Sequence, residues 1–385
     1  MREPRIISSS SRFLFIDLLR GWSVFVMIET HVVNALLRPD IKSQNVFTVL
    51  SFFNGLVAPS FLFCAGIAAA IMLSRKWTAM ISLNKIFWRY CMRLLFIFIV
   101  AYSLHLPFFS FAKMMQLTDP KGWSTWYQVD ILQVIALTLF VTVVLAVILR
   151  HKTIFYPVML VVSLAVVFLA PFIRDMDVSS WPPWLSQYVS TQVKSQFPLF
   201  PWAAFLTGGV LTGGYFVWMK QHTHERKVVR WMLIAALLMG AAALALEFLP
   251  VRIYLNHSFF RSSPEFFFVR FSLILLALVA LWHHASDRTT AGNSVVSLFG
   301  QESLLVYVVH LLIVYGYTYE FSFIRMFGPT LNYLQCAALF VVLTGVMYAM
   351  AYVWHALKSW NKPVANTVEF AVLAAVVVTF LLKQT

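Results

Sequence analysis

Apolar runs long enough to cross a bilayer recur along almost the whole chain, and no other feature restricts its fold so tightly. A helical span of the hydrocarbon core needs roughly 17–25 predominantly apolar residues. Such runs fall near 13–37, 48–74, 86–107, 130–149, 153–173, 198–218, 231–249, 265–284, 296–317, 331–356 and 364–382. The expected fold is an all-α polytopic transmembrane bundle of about eleven helices, forming one integral-membrane domain over residues 1–385. Composition agrees. The chain is 61% hydrophobic and only 11% charged, against about 25% charged in a soluble domain, which leaves no soluble domain of useful size.

The breaks between runs carry turn residues, as in Thr118-Asp119-Pro120-Lys121-Gly122 and Asn361-Lys362-Pro363. Trp123, Trp126, Trp181 and Trp184 fall at the expected boundaries, where interfacial aromatics belong. The net charge of +14 is a topology signal rather than a nucleic-acid surface, because the cations collect in alternate short loops. Arg2, Arg5 and Arg12 precede the first run. Arg75, Lys76 and Lys85, then Arg150 and Lys152, then Lys220, Arg226, Lys227 and Arg230, and finally Lys358 and Lys362 occupy every second loop. The intervening loops hold fewer, such as Arg38 and Lys42 or Arg174 and Lys194. This pattern places the N-terminus in the cytoplasm and makes the lipid bilayer, not nucleic acid, the expected partner. The first run lacks a small-residue cleavage site and reads as a retained helix. Cys64, Cys91 and Cys336 lie in apolar stretches without metal-ligand spacing, so neither a disulfide framework nor a bound metal is expected.

Ionisable groups inside a span cost several kcal/mol and usually face a bundle interior or aqueous cavity. The first span is richest in them. At about 100° per residue, Arg20 and His31 share a face within roughly 20°, Asp17 lies about 60° from Arg20, and Glu29 points the opposite way. His31 stands about 16 Å along the helix from Arg20. An Asp17–Arg20 ion pair at a helix end fits this spacing as well as a functional face does. Lys85, Arg89 and Arg93 form an i, i+4, i+8 stripe on the third span. Such a stripe suits snorkelling or a phosphate-rich cytosolic ligand. His310 matches the depth expected of His31. Arg270 lies just inside its span with Glu265 as its expected partner, and Asp130 suits a helix N-cap with Gln133 one turn on. Gly208-Gly209 and Gly213-Gly214 suggest close helix packing. His105 and His355 sit at span edges, where local bonding is expected. His222 and His224 fall in a loop.

Asp17-Leu18-Leu19-Arg20-Gly21 through His31 resembles the R-x10-H signature of bacterial membrane acyltransferases. Asn54-Gly55-Leu56-Val57-Ala58-Pro59, with the following Phe61 to Gly66, is similar to the second helix of their heparan-α-glucosaminide N-acetyltransferase-like branch. Asp130-Ile131-Leu132-Gln133, Phe197 to Trp202, and Gly300 to His310 then follow in that family's order. The resemblance implies transfer of an acyl group, usually acetyl from acetyl-CoA, to a sugar hydroxyl or amine across the membrane. Acyl-CoA would be a co-substrate, no cofactor would be bound permanently, and the site would be that of a bacterial inner-membrane enzyme. On this resemblance His31, as general base or acyl carrier, and Asp17 are the candidate catalytic residues. Arg20, Lys85, Arg89 and Arg93 would hold acyl-CoA, and Asn54, Asp130, Gln133, Arg270 and His310 would bind the acceptor or support the site. In the lysosomal heparan enzyme an Asn aligns with His31 and the transferring histidine comes in the next loop. Here the loop from Pro39 to Asn45 has no histidine, so heparan itself is not the expected acceptor. A homo-oligomer is compatible with this reading. Three rivals stand beside it: a secondary transporter of a small anionic or sugar-like solute, which pseudo-symmetric halves would mark, a haem carrier using His31 and His310, and a structural lipid-binding or assembly membrane protein, which would not need the Arg20–His31 face.

Overall fold

A computed structural model describes residues 13–106, 108–174, 176–190, 195–222, 225–249, 259–286, 294–316 and 321–383. Arg2, Arg5, Arg12, Lys194 and His224 lie outside the described residues. The protein is all-α. The helices that position the site are α1 (Leu14–Leu36), α2 (Asn45–Asn54), α3 (Val57–Ile81), α4 (Lys85–Leu104), α5 (Ile131–Leu149), α6 (Lys152–Arg174) and α7 (Leu199–His222). There follow α8 (Glu225–Glu247), α9 (Pro264–Ser286), α10 (Val295–Gln301), α11 (Ser303–Tyr315), α12 (Tyr333–Trp360) and α13 (Lys362–Leu382). Among the described residues the β structure is one isolated bridge, Leu37 with Leu331.

Each expected apolar run is helical, but the runs are not equal as membrane spans. Among the described residues eight helices are long and apolar enough to cross, counting Asn45–Ile81 as one, and the pair α10–α11 would make a ninth. That pair is bent by 89° at Glu302. The expected first and sixth spans, α1 and α7, have spanning length but are less apolar. In α1 the cause is Asp17, Arg20, Glu29 and His31, and in α7 it is the glycines and threonines. These two helices lie inside the bundle, where polarity can be satisfied by protein rather than lipid. The opposite extreme is α13, of whose most apolar stretch only 6% is buried.

Helix starts are set by side chains in their own sequence. Asn84 accepts from the Ile86 amide at 2.8 Å and opens α4. Asn332 and Gln335 exchange hydrogen bonds of 3.0 and 2.9 Å and open α12. Asp130 and Gln133 form the same reciprocal cap at the start of α5.

The helices of the core touch backbone to backbone. A Cβ on Gly66 of α3 would lie 2.0 Å from the Leu206 carbonyl oxygen of α7, and one on Gly209 would lie 2.2 Å from that of Phe63. The α1–α10 contact repeats the device: a Cβ on Gly300 would meet the Asp17 carbonyl oxygen at 2.1 Å. Between lipid-solvated helices there is no hydrophobic drive to associate, so such small-residue contacts carry much of the packing. Gly345 of α12, by contrast, has nothing within 4 Å of where its Cβ would sit. Gly66→Val and Gly209→Val should each lower the thermal unfolding midpoint of the detergent-purified protein by the equivalent of 1–3 kcal/mol or more. Gly345→Ala should leave it unchanged or raise it by up to about 1 kcal/mol.

Candidate active site

A cleft of about 480 Å³ runs between α1, α3, α4, α5 and α11. Its space comes from small residues on α3, Ala65, Ala68 and Ala69, which face Ile131, Leu132 and Leu139 of α5. One end is basic. Arg20 enters it from α1, Arg89 and Arg93 from successive turns of α4, and Lys76 from α3, at a point where that helix is kinked with φ −127° and ψ 25°. Among the described residues no carboxylate lines the cleft. Arg20 is only half engaged elsewhere: its Nη2 donates to Asp17 Oδ1 at 2.7 Å, while its buried Nε has no hydrogen-bond partner. Four cations with low-dielectric walls make a strong anion-attracting field, and guanidinium forks match phosphate oxygens.

The other end of the cleft is Tyr307 of α11. Its hydroxyl donates to Asp130 Oδ2 at 3.3 Å, and His105 Nε2 lies 3.5 Å from the same oxygen. Asp130 is fixed from below, since its Oδ1 accepts from the Ile131 amide at 2.7 Å. Gln133, fully buried, closes the cap by accepting from the Asp130 amide at 3.0 Å. One turn above Tyr307, His310 is fully buried, and its ring lies 5.9 Å from that of Tyr307. His310 Nδ1 donates to the Val306 carbonyl at 2.7 Å. A neutral imidazole that donates from Nδ1 keeps its lone pair on Nε2, and that buried atom has no hydrogen-bond partner. The His31 ring packs against it at 5.2 Å between centroids, too close to leave a porphyrin plane between them. His31 Nδ1 and the Tyr315 hydroxyl share a hydrogen bond of 3.1 Å.

The structure therefore brings Arg20, Arg89 and Arg93 together at one end of the cleft, and gathers His31, His310, Asp130 and Gln133 around the other. Lys85 and Asp17 do not join them. Lys85 is the first residue of α4 and lies outside the cleft lining, whereas Lys76 takes the place expected of it. Asp17 pairs with Arg20 and lines a different cavity. It is about four helical turns, some 21 Å, from His31. Asn54 lies beside the Glu29 carboxyl, on the face of α1 opposite Arg20. Arg270 lies over the Phe266 ring, with the guanidinium carbon 3.9 Å from its centroid, and packs against Gly55. Among the described residues no ion pair joins it to Glu265, which five positions of helix turn about 140° away.

Residues 12–259 match the catalytic domain of heparan-alpha-glucosaminide N-acetyltransferase. The chain belongs to this family. No curated protein matches it. Family membership makes it a multi-pass membrane protein of acyltransferase type. The matched region carries Arg20, His31, Lys76, Arg89, Arg93, His105 and Asp130, while Tyr307, His310 and Tyr315 lie beyond it. The N-acetyltransferase-like core thus supplies the cations and the imidazoles of His31 and His105, and α11 supplies that of His310 and both tyrosines.

Tyr307, Tyr315 and Lys76 escape a reading of the sequence alone. Tyr307 had a weak signal, being i−3 to His310 on one helix. Asp130→Asn should keep the α5 cap and unfold near the wild-type midpoint, while Asp130→Ala should lose about 1 kcal/mol, read by thermal unfolding in detergent.

Proposed function

We propose that the chain transfers an acetyl group from cytosolic acetyl-CoA to an extracytoplasmic acceptor, a sugar hydroxyl or amine, in a bacterial inner membrane. The observation that carries this reading is the cleft that joins four cations, three of them without a carboxylate partner among the described residues, to the tyrosine whose ring meets His310, itself packed against His31. The orphaned Nε of Arg20 and the unopposed charge of Arg89, Arg93 and Lys76 fit the phosphates of CoA. The alanine-walled middle of the cleft fits the extended pantetheine arm. Arg20 to His31 is a rise of about 16 Å, so the thioester reaches the outer half while the nucleotide stays at the basic end.

There the acceptor oxygen or nitrogen attacks the thioester carbonyl and His31 takes its proton. An acceptor hydroxyl is a poor nucleophile until a base removes that proton, whereas an amine mainly needs a base to collect it. As the tetrahedral intermediate collapses, the C–S bond breaks, the acetyl group stays on the acceptor, and the imidazolium returns the proton to the CoA thiolate. His310, held by the Val306 carbonyl, presents its free Nε2 beside this exchange and orients the acceptor. Tyr315 fixes the His31 ring. Asp130 holds the Tyr307 hydroxyl at the end of the cleft. Asn54 and Arg270 lie off this path and support the acceptor side through α2 and α9.

Two outcomes are expected. Arg93→Ala should weaken acetyl-CoA binding roughly ten- to a hundredfold, the loss of about 1.5–3 kcal/mol for a charge-assisted contact. Lys85→Ala should change it little, and Arg93→Lys should restore only part. Equilibrium binding to the purified protein measures this. His31→Ala should abolish transfer of labelled acetyl groups in membrane vesicles while acetyl-CoA binding survives, and His31→Asn should be equally inactive. His310→Ala should be less severe. Near wild-type transfer by His31→Ala would sink the mechanism.

A further inference from the structure

A second cavity, of about 610 Å³, opens at the end of the bundle where α1 and α10 begin and α12 ends. It is separated from the cleft by a thin polar partition. Asp17 faces the second cavity while its partner Arg20 faces the cleft, and Gln301 faces the second cavity while Ser303, across the helix break, faces the cleft. None of the residues lining it takes part in the transfer steps above.

Its walls have a definite chemistry. Asp17 is the one carboxylate in the lining among the described residues. Tyr348 and Tyr352, with ring centroids 6.3 Å apart, line it from α12. A carboxylate beside aromatic faces recognises an ammonium group, through charge-assisted hydrogen bonds and cation–π attraction together. His355 lines the same cavity, and Lys358 follows one turn on. Both are tied to the buried Glu302 carboxylate, at 2.9 and 2.5 Å, and the Lys358 ammonium keeps further N–H donors for an anion. The mouth is open: Tyr352 is 60% exposed, and Val341, three turns back on the same face of α12, is 66% exposed.

We propose that this cavity binds the headgroup of a zwitterionic phospholipid bearing a primary ammonium, of the phosphoethanolamine type. The ammonium sits on Asp17 against the tyrosine rings, the phosphate meets Lys358, and the acyl chains lie along the face of α12 that carries Val341. A soluble amine would use the same carboxylate and rings but would have no use for the apolar flank.

The test is native mass spectrometry of the purified full chain after exposure to vesicles of equal phosphatidylethanolamine and phosphatidylglycerol content. Wild type should retain the ethanolamine lipid about tenfold more than the glycerol lipid, a preference of about 1.4 kcal/mol. Tyr352→Ala should lower that preference severalfold. Ala356→Trp, which fills the mouth from an exposed lining position and so spares the core, should remove it. Equal retention of the two lipids by wild type, or an unchanged preference in Ala356→Trp, would overturn the proposal. Free phosphoethanolamine bound as tightly as the lipid would replace it with a soluble ligand. No arm of this test depends on acyl transfer.

Discussion

The hydrocarbon core offers no water, and that single fact orders this protein at every level. Backbone groups must be satisfied within each segment, so the chain is helical. Helix association cannot draw on the hydrophobic effect, so the core helices meet through Gly66, Gly209 and Gly300 at distances that exclude a Cβ. The close approach of α3 and α7 leaves the other face of α3, with its alanines, free to wall a cleft. A charge inside the bundle is tolerated only where other groups or an open cavity receive it, and so Arg20, Lys76, Arg89 and Arg93 converge instead of scattering.

Much of this was legible in the sequence. The apolar runs located every long helix, because length and hydropathy are properties of one segment at a time. The Asp130–Gln133 cap was equally local, and Gly208-Gly209 marked α7 for close packing, but Gly66 and Gly300, which make close contacts of the same kind, carry no local mark. The shared face of Arg20 and His31 follows from helical periodicity, and the structure places the first at the basic end of the cleft and the second beside His310. What periodicity does not contain is the identity of the neighbouring helix. Lys85, Arg89 and Arg93 share a stripe, yet Lys85 stops short of the cleft, and the kink in α3 brings Lys76 in. Asp17 and Arg20 are three residues apart and still look into different cavities, because α1 is itself the wall between them. The pairing of His31 with Tyr315 spans 284 positions, and no local pattern announces it.

The break at Glu302 has a comparable logic. Bending α10 against α11 by 89° aims α11 so that Tyr307 and His310 look toward α1 and α5. A buried carboxylate at such a break needs compensation, and His355 and Lys358 supply it from α12. The C-terminal helices are therefore not equivalent: α12 holds the bend in place, whereas α13 lies almost wholly against lipid.

The cations of the cleft have one more consequence. On the proposed reaction they would grip phosphates, the part of an acyl-CoA that the transfer leaves unchanged. Contacts of that kind hold reactant and spent product equally well and add nothing to the chemical step itself. Spent CoA would then be held about as firmly as its acetylated form. Free CoA would compete with acetyl-CoA for the cleft, and the cytosolic ratio of acylated to free CoA would act as the enzyme's throttle.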